Sequence, residues 1–375
     1  MQAMPQRRAD FGPLVARYIA FALPRCSDGA GGTCRLDTRG WNNAAERMAR
    51  YLITGGAGYV GSHLVRALRG RGDHCIVLDN LSTGHRAAVP DGIDLIEADL
   101  ADQAAVDALL AAGPWDGVFH FAALSLVGDS MRDPMRYFAA NVGNSSVLIN
   151  ACIRHQVRKL VFSSTAALFG LPERLPIAED DRIDPGSPYG ESKFMVERML
   201  GWADRAHGLR FAALRYFNAA GADPDGALGE DHRPETHLIP LAIDAALGRR
   251  PPLAVFGTDY PTPDGTCIRD YVHVSDLARA HLAAFDRLDH GSVSYNLGSE
   301  TGHSVREVLA SVARIAGRTV PHTVAERRAG DPAILVASSA RIRAECGWQP
   351  RVTALDDIVA TAWAWRVAHP AGYDG

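Results

Sequence analysis

The 375-residue sequence has no apolar run of the roughly 20 residues that a membrane-spanning helix needs. The nearest candidate, residues 14–23, is short and is interrupted by Arg17. Arg7 and Arg8 precede it as they would in an export signal, but no convincing small-residue cleavage pattern follows. The sequence therefore predicts neither a membrane span nor an export signal.

An excess of positive charge and paired cysteines are also missing. Lysine and arginine number 39 against 43 acidic residues, a net charge of −4, so nothing indicates a nucleic-acid partner. The six cysteines form no C-x-x-C pair and are typical of reduced thiols, which predicts a cytoplasmic protein. The fourteen histidines include no H-E-x-x-H or comparable cluster, so no metal site is predicted.

Hydrophobic residues make up 47% and charged residues 22% of the chain, as in an ordinary globular protein. At about 150 residues per domain, the length suggests two to three domains. Residues 1–49 differ from the rest, because they hold seven arginines, no lysine and no sustained periodicity. We expect them to form a disordered N-terminal extension, with a targeting segment as the alternative.

From Tyr51 onward, strand patterns alternate with helical patterns. This alternation predicts βαβ units, and hence an α/β protein with a Rossmann-type, doubly wound parallel sheet. The predicted strands are Tyr51–Thr54, Cys75–Asp79, Asp94–Ala98, Gly117–Phe121, Leu160–Ser163 and Phe211–Tyr216, and the clearest predicted helices are Gly58–Arg71, Pro134–His155 and Pro188–His207.

A glycine-rich turn, Gly55-Gly56-Ala57-Gly58-Tyr59-Val60-Gly61, joins the first strand to the first helix. Gly55 permits a tight turn, Gly58 lets backbone amides approach a pyrophosphate, and Gly61 lets the helix pack closely on the strand. Asp79 ends the second strand, where its carboxylate can accept hydrogen bonds from both ribose hydroxyls. That position favours NAD over NADP, whose 2′-phosphate the carboxylate would repel.

A second motif, Ser187-Pro188-Tyr189-Gly190-Glu191-Ser192-Lys193, predicts a catalytic helix. Ser187 is a good N-cap and Pro188 suits the first helical position. Tyr189 and Lys193 then share one face, four residues apart. A neighbouring ammonium, the helix N-terminus and a bound nicotinamide cation would all lower the pKa of the tyrosine, which makes it a candidate base. Thr165, at the end of the fifth strand, could hydrogen-bond a substrate alcohol or the phenol.

With these motifs, the chain resembles the extended short-chain dehydrogenase/reductase family, in its NAD-dependent epimerase/dehydratase branch. The resemblance runs from about Arg50 to Tyr373. It includes the runs Leu78-Asp79-Asn80-Leu81, Leu214-Arg215-Tyr216-Phe217-Asn218, Gly229-Glu230-Asp231-His232, His237-Leu238-Ile239-Pro240 and Arg269-Asp270-Tyr271-Val272-His273-Val274.

The resemblance implies NAD-dependent 4-epimerisation of UDP-sugars through a transient 4-keto sugar. Tyr189 would be the base, Lys193 would hold the nicotinamide ribose, and Thr165 would hydrogen-bond the reacting oxygen. It also implies an NAD-binding domain over residues 50–216, to which residues 272–297 return. Residues 217–271 and 298–375 would then form a smaller mixed α/β domain that binds the UDP-sugar.

Further site residues follow from the same resemblance. Those expected at the cofactor, besides Tyr189 and Lys193, are Gly55, Gly58, Tyr59, Val60, Gly61, Asp79, Asn80, Asp99, Leu100, Phe121, Ala122, Ala123, Asn141 and Tyr216. For Asp99, a plain role at a helix start is an equal alternative. Those expected at the UDP-sugar, besides Thr165, are Asn218, His237, Leu238, Ala254, Phe256, Arg269, Tyr271, Arg328, Asp331 and Leu335.

Two positions depart from the pattern of many family members. Phe169 replaces a tyrosine, and Leu335 stands where some members carry a bulky tyrosine that walls the sugar site. The smaller Leu335 leaves room for a 2-acetamido group, so UDP-N-acetylglucosamine is an expected second substrate. The resemblance also implies a homodimer through the helices Pro134–His155 and Pro188–His207.

Other functions on this fold remain open at this point. A 4,6-dehydratase usually carries an acidic pair just after its Ser/Thr, where this chain has Ala166 and Ala167. A uronate epimerase or a decarboxylase is a further alternative. A non-catalytic NAD-binding regulator would typically lack the tyrosine or the lysine, and this chain has both.

Overall fold

The computed structural model describes residues 48–328 and 331–374. Almost all of the predicted disordered extension, residues 1–47, lies outside the described residues. In chain order the strands are β1 (Arg50–Thr54), β2 (His74–Asp79), β3 (Asp94–Glu97), β4 (Gly117–His120), β5 (Lys159–Thr165), β6 (Arg210–Tyr216), β7 (Asn218–Ala220), β8 (Leu253–Phe256), β9 (Ile268–His273), β10 (Val293–Leu297), β11 (Gly302–Ser304), β12 (His322–Ala325) and β13 (Ile334–Leu335).

The helices alternate with these strands. They are α1 (Tyr59–Gly70), α2 (Gln103–Ala111), α3 (Val127–Arg132), α4 (Pro134–Tyr137), α5 (Asn144–Arg154), α6 (Pro188–His207), α7 (Leu238–Ala246), α8 (Val274–Arg287), α9 (Val305–Ala316), α10 (Ala340–Cys346) and α11 (Leu355–Ala368). No helix within residues 48–328 and 331–374 is both long enough and apolar enough to cross a membrane.

Seven strands form one parallel sheet in the order β3-β2-β1-β4-β5-β6-β10. Helices cover both faces: α1 and α8 pack on one side, whereas α2, α5 and α6 pack on the other. The predicted Rossmann-type, doubly wound fold is therefore confirmed. The strand order reverses between β1 and β4, and the crevice beyond the carboxyl ends of these two strands is where such folds bind ligands.

The predicted helix Pro134–His155 is present but is not regular throughout. Helix α4 passes into a π-helical turn at Phe138–Gly143, and the chain then continues as α5. The turn lies beside α6 and carries the buried Asn141. π-Turns of this kind are frequent at functional sites.

Helix α6 begins and ends as its sequence predicts. The Ser187 side chain accepts a hydrogen bond from the Gly190 backbone amide at 3.2 Å, and Pro188 occupies the first turn. Gly208 ends the helix in the left-handed conformation, with φ of 70°. These caps fix which residue starts the helix, and so they fix the face on which Tyr189 and Lys193 lie.

Beyond the large sheet, the chain builds a second unit around a four-stranded sheet in which β9 is central. Strands β7 and β13 pair with β9 in parallel, and β11 pairs with it antiparallel. A separate parallel pair, β8 and β12, lies nearby. Helices α7, α9 and α11 contribute to one apolar core with these strands. Because β9 leads directly into α8, and β10 follows in the large sheet, the two units share a continuous path of chain.

Candidate active site

The glycine-rich turn after β1 is held tightly against neighbouring backbone. Gly55 has φ of 73°, and a Cβ there would lie 2.5 Å from the Ala122 amide nitrogen. A Cβ on Gly61 would lie 2.2 Å from the Gly55 carbonyl oxygen. Gly58 is the N-cap of α1 and has no side chain with which to cap it. The first amides of α1 thus stay available to an anion, as the sequence predicts.

The next residues of this turn have separate roles. The Tyr59 hydroxyl donates to the Gly221 carbonyl at 2.7 Å, which ties α1 to the segment after β7. Val60 packs against the core formed by α1 and α8.

Asp79, at the end of β2, organises the same turn. One carboxylate oxygen accepts from the Ala57 amide at 3.0 Å, and the other accepts from the Leu81 amide at 2.9 Å. Burial raises the pKa of Asp79, and the two amide hydrogen bonds oppose that rise. Each carboxylate oxygen has a second lone pair, so the group can still accept from a ribose.

Asp99 does not start a helix, so the predicted role at a helix start is wrong for this residue. Asp102 caps α2 instead, accepting from the Ala104 and Ala105 amides. One carboxylate oxygen of Asp99 accepts from the Asn80 amide group at 2.7 Å, which joins the ends of β2 and β3. Leu100, beside it, is buried in the core under α2 and α5.

The loop after β4 faces the glycine turn across the crevice. Phe121 and Ala122 both donate backbone hydrogen bonds to the Thr54 carbonyl, and Ala123 follows them in the loop. Further along, the Asn141 side chain bonds both backbone groups of Leu124, at 2.8 and 3.0 Å. Asn141 thus holds this loop in place and is positioned by the π-turn.

Asn141 and its neighbours also connect the loop to the catalytic helix and the sheet. The Asn141 amide donates to the Ser192 hydroxyl on α6 at 2.9 Å. The His120 ring, at the end of β4, forms two hydrogen bonds: Nδ1 with the Thr54 hydroxyl at 2.7 Å and Nε2 with the Ser145 hydroxyl at 2.8 Å. Burial lowers the pKa of His120 to about 3, so this imidazole is neutral at physiological pH.

The predicted catalytic residues meet at the carboxyl end of β5. The Thr165 hydroxyl lies close enough to that of Tyr189 to stabilise the phenolate form of Tyr189. The Lys193 ammonium, one turn along α6, donates to the Ser163 carbonyl at 2.8 Å. Lys193 also lies 4.8 Å from the centre of the Phe162 ring, and its side chain is almost completely buried.

The electrostatics of this group differ from the sequence expectation. Burial raises the pKa of Tyr189, and the hydrogen bond from Thr165 only partly opposes the rise. Burial lowers the pKa of Lys193 to about 7. The sequence predicted a lowered pKa for Tyr189, but within the protein alone the cost of burying a phenolate outweighs the effect of its neighbours.

Sequence reasoning predicted Tyr216 near the cofactor but missed Ser163, Glu197 and Arg215, which support this group from below. The Ser163 hydroxyl bonds the Tyr216 hydroxyl at 2.5 Å, which fixes the ring at the end of β6. Glu197, one turn beyond Lys193 on α6, accepts from the Ser164 hydroxyl at 2.6 Å and forms a buried ion pair with Arg215. The position of Glu197, four residues after Lys193, was the available signal.

The β9 sheet brings several predicted substrate residues side by side. Asn218 on β7 pairs with Tyr271 on β9, and Leu335 on β13 pairs with Arg269 on β9. Leu335 also packs with Phe169, in the small apolar cluster beyond β5. The strands therefore align residues that lie up to 117 positions apart between Asn218 and Leu335.

Charged residues on this side contact each other. Arg269 forms an ion pair with Asp331. The Arg328 guanidinium lies 4.1 Å from the centre of the Phe256 ring, in a cation–π contact. Ala254 lies on the same strand as Phe256, in the β8–β12 pair.

His237 and Leu238, at the start of α7, have different surroundings. Leu238 packs on the core of the second unit. The His237 ring bonds the carboxylate of Glu230, which also lies 3.2 Å from His232. The sequence predicted no metal site here, since the spacing E-x-H-x-x-E-x-H matches neither H-E-x-x-H nor a comparable motif.

The model of the NAD dependent epimerase/dehydratase family matches residues 51–298. The chain belongs to this family. The epimerase/dehydratase relatives include a UDP-glucose 4-epimerase of Halalkalibacterium halodurans, 48% identical over 86% of this chain and 97% of the relative.

Solved members of the family have the same fold. The UDP-glucose 4-epimerase of Brucella ovis in complex with NAD is 47% identical, with a TM-score of 0.82 over 84% of this chain and 98% of that one. The UDP-Glc/GlcNAc 4-epimerase of Campylobacter jejuni is 40% identical, with a TM-score of 0.76 over 85% of this chain and 99% of that one.

The residues of this epimerase/dehydratase chain fit NAD, the cofactor of the family. The uncapped start of α1, behind Gly58, suits the pyrophosphate. Asp79 keeps lone pairs for a ribose, and Lys193 uses one of its three donors on Ser163, which leaves two for other acceptors.

Proposed function

We propose that this protein interconverts UDP-glucose and UDP-galactose by epimerisation at C4, with NAD as its cofactor. The observation that carries the proposal is the group Tyr189, Thr165 and Lys193 at the ligand-binding edge of the sheet. The relatives support the substrate class, because a chain 48% identical along nearly its whole length is a UDP-glucose 4-epimerase.

Tyr189 is the proposed acid and base. When bound, NAD supplies a positively charged ring that accepts a hydride from the sugar and returns it, with no net redox change. The Tyr189 oxygen takes the proton of the sugar 4-hydroxyl and later gives it back. Thr165 lies beside that oxygen and stabilises it when it is negatively charged.

Lys193 has two proposed tasks. Its two remaining N–H donors suit the hydroxyls of the cofactor ribose, while the Ser163 carbonyl fixes its position. In its protonated form it is also the cation nearest to Tyr189 along α6. Because burial raises the pKa of Tyr189, this positive charge and that of the cofactor are needed to form the phenolate.

The same site lacks the groups that a dehydratase needs. Ala166 and Ala167 follow Thr165 in a short 3₁₀ segment and can neither donate nor accept a proton through their side chains. This supports epimerisation over elimination of water.

Residues of the second unit are proposed to hold the nucleotide. Arg328 would bind the diphosphate through its planar guanidinium, and Phe256 would contact the uracil. Asp331 would accept from the second ribose, which requires it to share or release its ion pair with Arg269.

The sugar site is proposed to accept a 2-acetamido group as well. Leu335 packs with Phe169 at the boundary of the β5 cluster and carries no hydroxyl or ring. The Campylobacter jejuni relative, a UDP-Glc/GlcNAc 4-epimerase, supports this wider range.

We also propose a homodimer, formed through α4, α5 and α6. Three exposed apolar side chains support it: Met135 on α4, and Met195 and Trp202 on α6. Met195 and Trp202 are seven residues apart and so share one face of the helix. Sedimentation of the wild type and of Trp202→Arg tests this, with Val324→Arg, at an exposed site on β12, as the matched control.

A cytoplasmic location is proposed because Cys75, Cys152, Cys267 and Cys346 are all free thiols.

The decisive experiment uses the purified protein with UDP-galactose and no added NAD. We expect UDP-glucose to appear until the two sugars reach equilibrium, since retained NAD is regenerated in every turnover. Absence of product, even when NAD is supplied, would contradict the proposal.

A further inference from the structure

A short segment outside the catalytic group gathers four potential metal ligands. Glu230, His232, Glu235 and His237 follow the spacing E-x-H-x-x-E-x-H within eight residues. One nitrogen or carboxylate oxygen from each residue lies within 4.8 Å of those from the other three. Among the described residues, this is the one group of histidine, cysteine and acidic side chains with such convergence.

The two carboxylates are withdrawn from solvent. The side chains of Glu230 and Glu235 are each only 7% exposed. One oxygen of Glu235, Oε1, accepts from the Thr236 and His237 backbone amides, whereas the other, Oε2, has no hydrogen-bond partner in the protein. Because buried polar atoms are normally paired, Oε2 is the Glu235 oxygen that remains available to a cation.

The distances suit a small cation. His232 Nδ1 lies 3.2 Å from the nearer Glu230 oxygen and 3.7 Å from the nearer Glu235 oxygen. A tetrahedral ion with ligands at about 2.1 Å places them about 3.4 Å apart. His237 bonds Glu230 directly, so an ion would replace the proton that they share.

We propose that Glu230, His232, Glu235 and His237 bind one divalent transition-metal ion, such as Zn²⁺ or Co²⁺. Two imidazoles and two carboxylates suit ions of this borderline class better than Mg²⁺ or Ca²⁺, which prefer oxygen ligands alone. The inference does not depend on the proposed epimerase activity, since it rests on these four side chains only.

The place of this metal site in the fold suggests what the ion does. The His232 ring packs edge-to-face on Tyr59, at the start of α1, with their centres 6.1 Å apart. His237 immediately precedes α7. An ion would therefore fasten the segment between β7 and α7 beside the glycine-rich turn, where it would act as a structural clamp between the two units.

The test is metal binding to the full, untagged holoenzyme in a buffer free of chelators. The protein is dialysed against Co²⁺ and then against metal-free buffer, and bound cobalt is measured by elemental analysis and by its visible absorption. We expect one equivalent in the wild type, the absorption of a tetrahedral N/O site, and loss of both in the double variant His232→Asn/Glu235→Gln.

Two further variants make the result unambiguous. His207→Asn, at the exposed end of α6, removes a histidine elsewhere and should retain the full equivalent. His237→Asn changes a half-exposed side chain, so it should fold normally and still lose the ion. If the wild type retains no more cobalt than His237→Asn, the proposal is wrong and protons alone hold this cluster together.

Discussion

The cofactor side and the substrate side of the cleft are held together by different kinds of contact. On the cofactor side, backbone amides and tight glycine packing form the site, as where Asp79 accepts from the Ala57 amide in the same βαβ unit. On the substrate side, charged and aromatic side chains from distant segments contact each other. Arg269 and Asp331, for example, are 62 residues apart and form an ion pair. The cofactor side is therefore formed without a ligand, whereas the proposed substrate side would exchange partners if Asp331 bound a ribose as proposed.

Histidines show the same contrast. His120, at the carboxyl end of β4, is buried without an ion pair, and burial lowers its pKa to about 3. His232, in the segment between β7 and α7, contacts two carboxylates that outweigh its burial and raise its pKa to about 10. The surroundings of His120 thus exclude charge, whereas the segment around His232 concentrates and compensates it.

The largest expected effect tests the cofactor side. Tyr189→Phe removes the proposed base but keeps the ring, so turnover of UDP-galactose should fall about 10²- to 10⁴-fold. Bound NAD, measured after denaturation of the protein, should be unchanged. Tyr51→Phe, in the buried β1 strand, is the matched control and should keep its activity. Turnover near the wild-type value in Tyr189→Phe would exclude this tyrosine as the base.

On the proposed substrate side, a substitution at Leu335 should have a smaller effect, which differs between UDP-N-acetylglucosamine and UDP-glucose. Leu335→Tyr adds bulk where the acetamido group is expected, so kcat/KM for UDP-N-acetylglucosamine should fall about 10- to 100-fold relative to that for UDP-glucose. Leu335→Met conserves the volume and should leave the ratio nearly unchanged. An equal loss with both sugars would show that Leu335 does not border the acetamido position.

Arg328→Lys should weaken nucleotide binding more modestly. Lysine keeps the charge but loses the planar fork and the stacking on Phe256, so we expect the Kd for UDP to rise about 10-fold. Calorimetric titration with UDP measures this. Arg318→Lys, at an exposed position just after α9, should not change the Kd. An unchanged Kd in Arg328→Lys would mean that Arg328 is a solvated surface charge.

A pH effect is expected from His120, which is buried in its uncharged form. Its pKa falls from 6.5 in the unfolded chain to about 3 in the folded one, so the unfolded state binds an extra proton between these values. The free energy of unfolding must then decrease as pH falls through this window, by up to about 1.4 kcal/mol per pH unit. His120→Asn removes this contribution, and urea titrations at several pH values should give it the shallower slope. Identical slopes would show that folding does not lower the pKa of His120.

The sequence predicted the cofactor side better than the substrate side, for a physical reason. The glycine spacing, the strand ends and the α6 cap are local patterns, and the parallel sheet then brings them to one edge. The ion pair of Arg269 with Asp331 and the stacking of Arg328 on Phe256 depend on how separate segments meet, which no local period encodes. The raised pKa of Tyr189 was also missed, because spacing along a helix gives proximity but not the degree of burial.

The π-helical turn at Phe138–Gly143 has an evolutionary consequence. Such a turn holds one residue more than a regular turn, and it absorbs that residue without rotating the helix that follows. Deleting one residue there would restore regular helix geometry and leave the buried face of α5, with Leu148 and Cys152, toward the core. The deletion would instead displace Asn141, and the loop after β4 would lose the side chain that holds its backbone.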